Sequence, residues 1–142
     1  MNSFALDSIE EFFGQTLAQK LLTQGRQADL TAANNVLAHV PDINDFVAGF
    51  AILLKPQGVS TFEFPHLMNL VKFAQFDTIY HEHFSYFSFI TVEKIFNAHG
   101  ITLFDVDELT THGGSLRIYG RHNDNESLPI GDRIYEMRNR EA

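Results

Sequence analysis

Asp29-Leu30-Thr31-Ala32-Ala33-Asn34-Asn35, followed by Pro41-Asp42, a periodic run from Ile43 to Leu54, and Val59-Ser60-Thr61-Phe62-Glu63-Phe64-Pro65, is the stretch that decides the fold. Asp29 to Asn34 reads as a short strand that finishes in two asparagines, Asn34 and Asn35. Asp42 can cap a helix from Ile43 to Leu54, whose apolar positions Ile43, Phe46, Val47, Phe50 and Leu54 recur at three and four residues. Pro56 and Gly58 end that helix, and Val59 to Phe64 is a β-branched and aromatic run stopped by Pro65. Strand, helix and strand in succession make a βαβ unit, which forces the two strands parallel and opens a crevice at their carboxyl ends. Asn34, Asn35 and the segment Glu63-Phe64-Pro65-His66 fall on that one edge.

Working outward, apolar residues at Ile9, Phe12, Phe13, Leu17, Leu21 and Leu22 follow a helical period from Ile9 to Leu22, with Gly25 as a stop. Phe12-Phe13-Gly14 would equally close a short buried strand, so the start of this helix stays open. Downstream, the pattern predicts a helix from Leu67 to Phe73 and another from Thr91 to His99, closed by Gly100. Ile101 to Val106 and Ser115 to Tyr119 read as two more strands, joined by a polar connection ending in His112-Gly113-Gly114. From His122 to Asp132 the chain is polar, and its last ten residues are charged. The expected class is α/β, with a mainly parallel sheet.

Composition sets the limits. A chain of 142 residues supports one good core without disulfide staples. The net charge of -8 repels phosphate backbones and acidic membranes, which argues against nucleic acid and membrane as partners. There is no cysteine, hence no disulfide framework, thiol nucleophile or thiolate zinc site. No basic region followed by an apolar core opens the chain, and the apolar runs are short, so a cytoplasmic protein is expected.

The densest chemistry lies in Asp77-Thr78-Ile79-Tyr80-His81-Glu82-His83-Phe84-Ser85-Tyr86, which holds two imidazoles, a carboxylate and two phenols within ten residues. Histidine exchanges protons near neutral pH, and adjacent Glu or Tyr groups can orient it. A half-buried strand edge with polar tips is the plainer reading. His81 and His83 stand two apart, on one face if extended, as a metal would require. The third ligand is lacking: His-Glu-x-x-His would need a histidine at Ser85, and the nearest further Glu is Glu93. The reading without metal makes one histidine a general base, with Tyr80 and Glu82 as partners. Asn34-Asn35-Val36-Leu37-Ala38-His39 is either a turn or a ligand contact at the crevice, and His112-Gly113-Gly114 either a turn before an edge strand or a bare-backbone contact for phosphate or sugar. His99 beside Gly100 is most simply a helix-end residue.

These residues resemble a known family, the S-adenosylmethionine-dependent sugar C-methyltransferases, which methylate a ring carbon of nucleotide-linked keto-deoxysugars. The matching stretches are Asn34 to Phe46, Glu63-Phe64-Pro65-His66-Leu67, Phe76 to Tyr86, and His112-Gly113-Gly114-Ser115-Leu116-Arg117, in family order from about Ala28 to His122. The resemblance implies a partial Rossmann-like sheet in which Asn34, Asn35, Val36, Leu37, Ala38 and His39 border the methyl donor. It implies a catalytic group of Tyr80, Glu82 and His83, with His83 as the base that forms an enolate. Glu63, His66, His81, His112, Gly113 and Gly114 would line the sugar side.

The departures shape the expectation as strongly. Intact members begin with a cysteine-rich zinc domain, and this chain has no cysteine. No glycine-rich loop precedes Asn34, and the larger carboxyl-terminal domain is almost wholly absent. The resemblance therefore implies a fragment, with residues 1–66 as the second half of the methyltransferase domain and residues 67–142 as the start of the next. Such a fragment is expected to expose a sheet edge that favours self-association. A remnant without independent activity is the competing expectation.

Overall fold

The computed structural model describes residues 6–73, 85–110 and 114–142. In chain order the elements are α1 (Gln15–Thr23), β1 (Ala28–Asn34), a 3-10 turn (Leu37–His39), α2 (Ile43–Leu53), β2 (Leu54–Pro65), α3 (Leu67–Lys72), α4 (Phe89–Ala98), β3 (Ile101–Leu109), β4 (Ser115–His122) and α5 (Asp132–Glu141). The four strands form one sheet in the order β1-β2-β4-β3.

The expected βαβ unit is present: β1 and β2 pair in parallel, with Thr31 opposite Ser60 and Asn34 opposite Glu63. A buried hydrogen bond between the hydroxyls of Thr31 and Ser60, 2.6 Å long, joins the two strands. β4 runs antiparallel to both β2 and β3. Three strands thus share one direction and β4, inserted between two of them, opposes it. The sheet is mainly parallel by strand direction, yet two of its three ladders are antiparallel. The division expected at residue 66 is not a break in the sheet, because β4 pairs along β2 up to Pro65. Among the described residues β4 is therefore an interior strand, so the chain after Gly114 does not enter an edge strand.

Phe46 and Phe50 of α2, Phe62 of β2 and Phe96 of α4 form a continuous run of rings, with centroids 5.0, 4.9 and 4.8 Å apart in that order. Edge-to-face packing of this kind adds to the gain from burial and ties both helices to the centre of the sheet. Side chains alternate along a strand. Phe62 and Phe64 are buried in this core, so Thr61 and Glu63 point to the opposite face.

Several boundaries differ from the sequence reading for local reasons. α1 starts at Gln15, because Gly14 is extended and lies against α2. A Cβ on Gly14 would fall 2.0 Å from Asp45 Oδ2, and one on Gly49 would fall 2.8 Å from the Gly14 carbonyl. Asp45 of α2 accepts from the Gln15 backbone N–H at 3.2 Å and so caps α1 from outside. α2 keeps the expected cap, with Asp42 accepting from Asp45 N at 3.0 Å. β2 begins at Leu54 rather than Val59; Pro56 is accommodated because the ladder shifts between Ala28 and Leu30, leaving residues near it unpaired.

α5 was not legible as a helix. Its only buried residues are Ile134 and Met137. Arginine pairs to other elements hold it: Arg133 with Asp105 and Asp107, Arg138 with Glu93, and Arg140 with Glu108. Arg133 holds the Asp105 carboxyl below its ordinary range, and Arg140 does the same for Glu108. A depressed carboxylate contributes stability above its unfolded pKa and loses it as pH falls through the folded one. Amide exchange across α5 is accordingly expected to accelerate selectively below the ordinary carboxylate range, ahead of exchange in β2. Equal protection of the two elements down to that pH would contradict this.

Candidate functional site

The parallel pair brings the carboxyl ends of β1 and β2 side by side. Asn35 leaves β1 with φ of 57°, a left-handed conformation that asparagine tolerates better than most residues. Its backbone N–H donates to the Glu63 carbonyl at 2.7 Å, so the turn is fastened to the neighbouring strand. Asn34 and Asn35 are exposed, and Val36 and His39 are half-buried. Leu37 and Ala38 are buried, with Leu37 in the main core. Of the six residues expected to border the donor, these two anchor the turn through their side chains.

Glu63 is 7% exposed, and Arg117 of β4 donates to its carboxylate at 2.9 Å. The pair continues across the same face: the Tyr119 hydroxyl donates to Asp107 at 2.5 Å. That hydrogen bond raises the Tyr119 pKa, and the hydrogen bond with Glu63 raises that of Arg117. A charged, ordered strip thus runs away from the Asn34–Glu63 edge. The place of Arg117 opposite Glu63 comes from the β2–β4 register, which no local pattern in the sequence shows.

His66, expected on the sugar side, is fully buried, and its Nε2 lies 2.5 Å from Glu141 of α5. It faces the carboxyl-terminal helix. Gly114, with φ of 115°, makes its close approach to protein: a Cβ there would lie 2.4 Å from the Asn69 amide nitrogen. Its carbonyl accepts from the His66 backbone N–H at 3.1 Å. Tyr80, His81, Glu82, His83, His112 and Gly113 lie outside the described residues. Just beyond the first four, Ser85 donates its backbone N–H to the Ala38 carbonyl at 3.3 Å, so the described chain resumes at the Asn34–His39 turn. Among the described residues no group of three or more His, Cys, Asp or Glu is placed to hold a metal, and no helix is long and apolar enough to cross a membrane. A surface groove of about 640 Å³ lies elsewhere, lined by Leu67, Met68, Val71, Lys72, Ile90 and neighbouring residues.

Among solved structures, the chain is similar to 1,6-didemethyltoxoflavin-N1-methyltransferase of Burkholderia thailandensis, at 17% identity and a TM-score of 0.53, over 70% of this chain and 45% of that one. It is also similar to a magnesium protoporphyrin IX methyltransferase from Synechocystis PCC 6803, at 13% identity and a TM-score of 0.51, over 66% of this chain and 44% of the other. A methyltransferase from Thermotoga maritima matches at 13% identity and a TM-score of 0.55, over 68% of this chain and 56% of that one. The fold is that of S-adenosylmethionine-dependent methyltransferases. In sequence, the chain is 36% identical over 118 residues to C-methyltransferase NovU of Streptomyces niveus, which covers 83% of this chain. The chain spans 28% of the length of that relative. No family model matches.

The left-handed turn gives a direct check. Asn35→Gly is expected to preserve or slightly raise stability, whereas Asn35→Val should cost about 1–2 kcal/mol in urea unfolding, the usual penalty of that backbone conformation. Equal stability of the two variants would mean that Asn35 is not held left-handed in solution.

Proposed function

We propose that this chain carries part of the site of an S-adenosylmethionine-dependent methyltransferase acting on a ring carbon of a nucleotide-linked keto-deoxysugar. The observation that supports the reading most is the 36% identity to a C-methyltransferase across 118 residues that include the whole Asn34-to-Arg117 pattern of motifs. On this reading the exposed amides of Asn34 and Asn35 and the neighbouring Val36 and His39 border the donor, and Glu63, oriented by Arg117, faces the sugar. The reaction belongs in the cytoplasm.

The chemistry asks for a base and for stabilisation of an oxyanion. His83 takes the proton from the carbon beside the keto group, and the bond's electron pair passes into an enolate. Tyr80 hydrogen-bonds the developing oxyanion, and Glu82 orients His83. The enolate carbon then forms a bond to the donor's methyl carbon as the carbon–sulfur bond breaks, leaving S-adenosylhomocysteine. His83 returns its proton to solvent. The competing reading is a module without activity of its own.

Deuterium uptake from D2O into a nucleotide-linked keto-deoxysugar, without methyl donor, isolates the first step. His83→Asn is expected to slow uptake by about 10²- to 10⁴-fold, and His81→Asn much less. Uptake that survives in His83→Asn but disappears in Tyr80→Phe or Glu82→Gln would move the base to that residue. No uptake by the wild-type chain would favour the inactive module.

A further inference from the structure

Arg117 stands between two carboxylates. The β2–β4 ladder sets Glu63 directly opposite it on one side, and the β3–β4 ladder sets Asp107 directly opposite it on the other. Side chains opposite one another in an antiparallel pair start only about 5 Å apart, so register alone puts both acids within reach of the guanidinium. Only one is taken: Arg117 Nη2 donates to Glu63 Oε2 at 2.9 Å, and among the described residues no ion pair joins Arg117 to Asp107. Register offers both partners equally, so the choice has another cause.

Asp107 is already occupied. The Tyr119 hydroxyl donates to its Oδ2 at 2.5 Å, and Arg133 of α5 reaches its Oδ1 at 2.5 Å, so each oxygen has a donor of its own. Arg133 is in turn fixed by a bidentate pair to Asp105, at 2.9 and 2.6 Å. Tyr119 lies two residues from Arg117 on the same face of β4. The hydrogen bond to Asp107 holds the phenol above its ordinary pKa, which keeps the donated proton in place. Glu63, by contrast, is buried and has Arg117 as its one ion-pair partner among the described residues. A buried carboxylate that loses its cation is left uncompensated, which is costly.

We propose that Tyr119 is a positioning residue that assigns Arg117 to Glu63: by occupying Asp107 together with Arg133, it removes the competing carboxylate and leaves the guanidinium to orient Glu63. This role rests on the proposed placing of Glu63 on the sugar side of the site. The orientation of a β2 residue at the crevice is then decided on β3, two strands away. Tyr119→Phe keeps the ring, including its packing beside Phe104 at 6.2 Å between centroids, and deletes only the hydroxyl. Asp107 then has a free oxygen within reach of Arg117, and the guanidinium divides its time between two carboxylates. Asp107→Asn removes the competitor's charge and so makes the hydroxyl unnecessary.

Side-chain nuclear magnetic resonance on the whole chain tests this, through the Arg117 guanidinium nitrogens and the carboxyl carbons of Glu63 and Glu93. Tyr119→Phe should move the Arg117 and Glu63 signals and speed exchange of the Arg117 Nη protons by about tenfold or more, the weakening of one charged hydrogen bond. Asp107→Asn alone should leave Arg117 and Glu63 in place. The double variant, Tyr119→Phe with Asp107→Asn, should return both signals close to their wild-type positions, a rescue that general loosening of the sheet would not give. Glu93, held by Arg138 at 2.8 and 2.7 Å, should stay unmoved in all three. Unmoved Arg117 and Glu63 signals in Tyr119→Phe would overturn the assignment, as would a double variant no closer to wild type than the single one. None of these signals depends on turnover, so failure of the methyl-transfer reading would be seen separately, as absent deuterium uptake with the rescue intact.

Discussion

The parallel register of β1 and β2 is the constraint on which the rest depends. It places Asn34 opposite Glu63, and a slip of one residue would turn each side chain of one strand to the other face of the sheet. Two features hold it from the core side. The Thr31–Ser60 hydroxyl pair would be left as two buried unpaired polar groups by any shift, and Phe62 would lose its place between the rings of Phe50 and Phe96. With the register fixed, the left-handed turn at Asn35 and the bond from its N–H to the Glu63 carbonyl follow, and the exposed amides sit at the carboxyl ends of two parallel strands.

β4 adds the second level of organisation. Running against its neighbours, it delivers Arg117 to Glu63 on one side and Tyr119 to Asp107 on β3 on the other. The face that carries these polar groups lies opposite the aromatic core. β1 ends the sheet, and its Leu30 is 66% exposed among the described residues. An unpaired edge with an exposed leucine is the kind of surface that recruits another strand, which is the basis for proposing self-association or cover by further chain.

The sequence was most readable where burial and local chemistry agreed. The period of Ile43, Phe46, Val47 and Phe50, capped by Asp42, gave α2, and the β-branched run before Pro65 gave the last half of β2. It was least readable where long-range contacts decide. α5 has two buried residues and depends on arginine pairs to β3 and α4, which no local pattern announces. The burial of His66 could not be seen either, because its partner Glu141 lies 75 positions away. Of the candidate site, the adjacency of Asn34 and Glu63 was legible from the βαβ pattern. The inward packing of Leu37 and the approach of Gly114 to Asn69 were not, since both depend on which face of the chain meets the core.

The central proposal is that the edge at Asn34 and Asn35 borders the methyl donor. A titration of the isotopically labelled chain with S-adenosylmethionine, followed by amide chemical shifts, tests it without requiring turnover. Run to several times ~1 mM, a concentration at which binding worth about 4 kcal/mol is seen, the titration registers even a weak site. The account expects the largest shifts at residues 34–39, diminished by Asn34→Ala. Shifts confined to the groove beside α3, or none at several times that concentration, would contradict it.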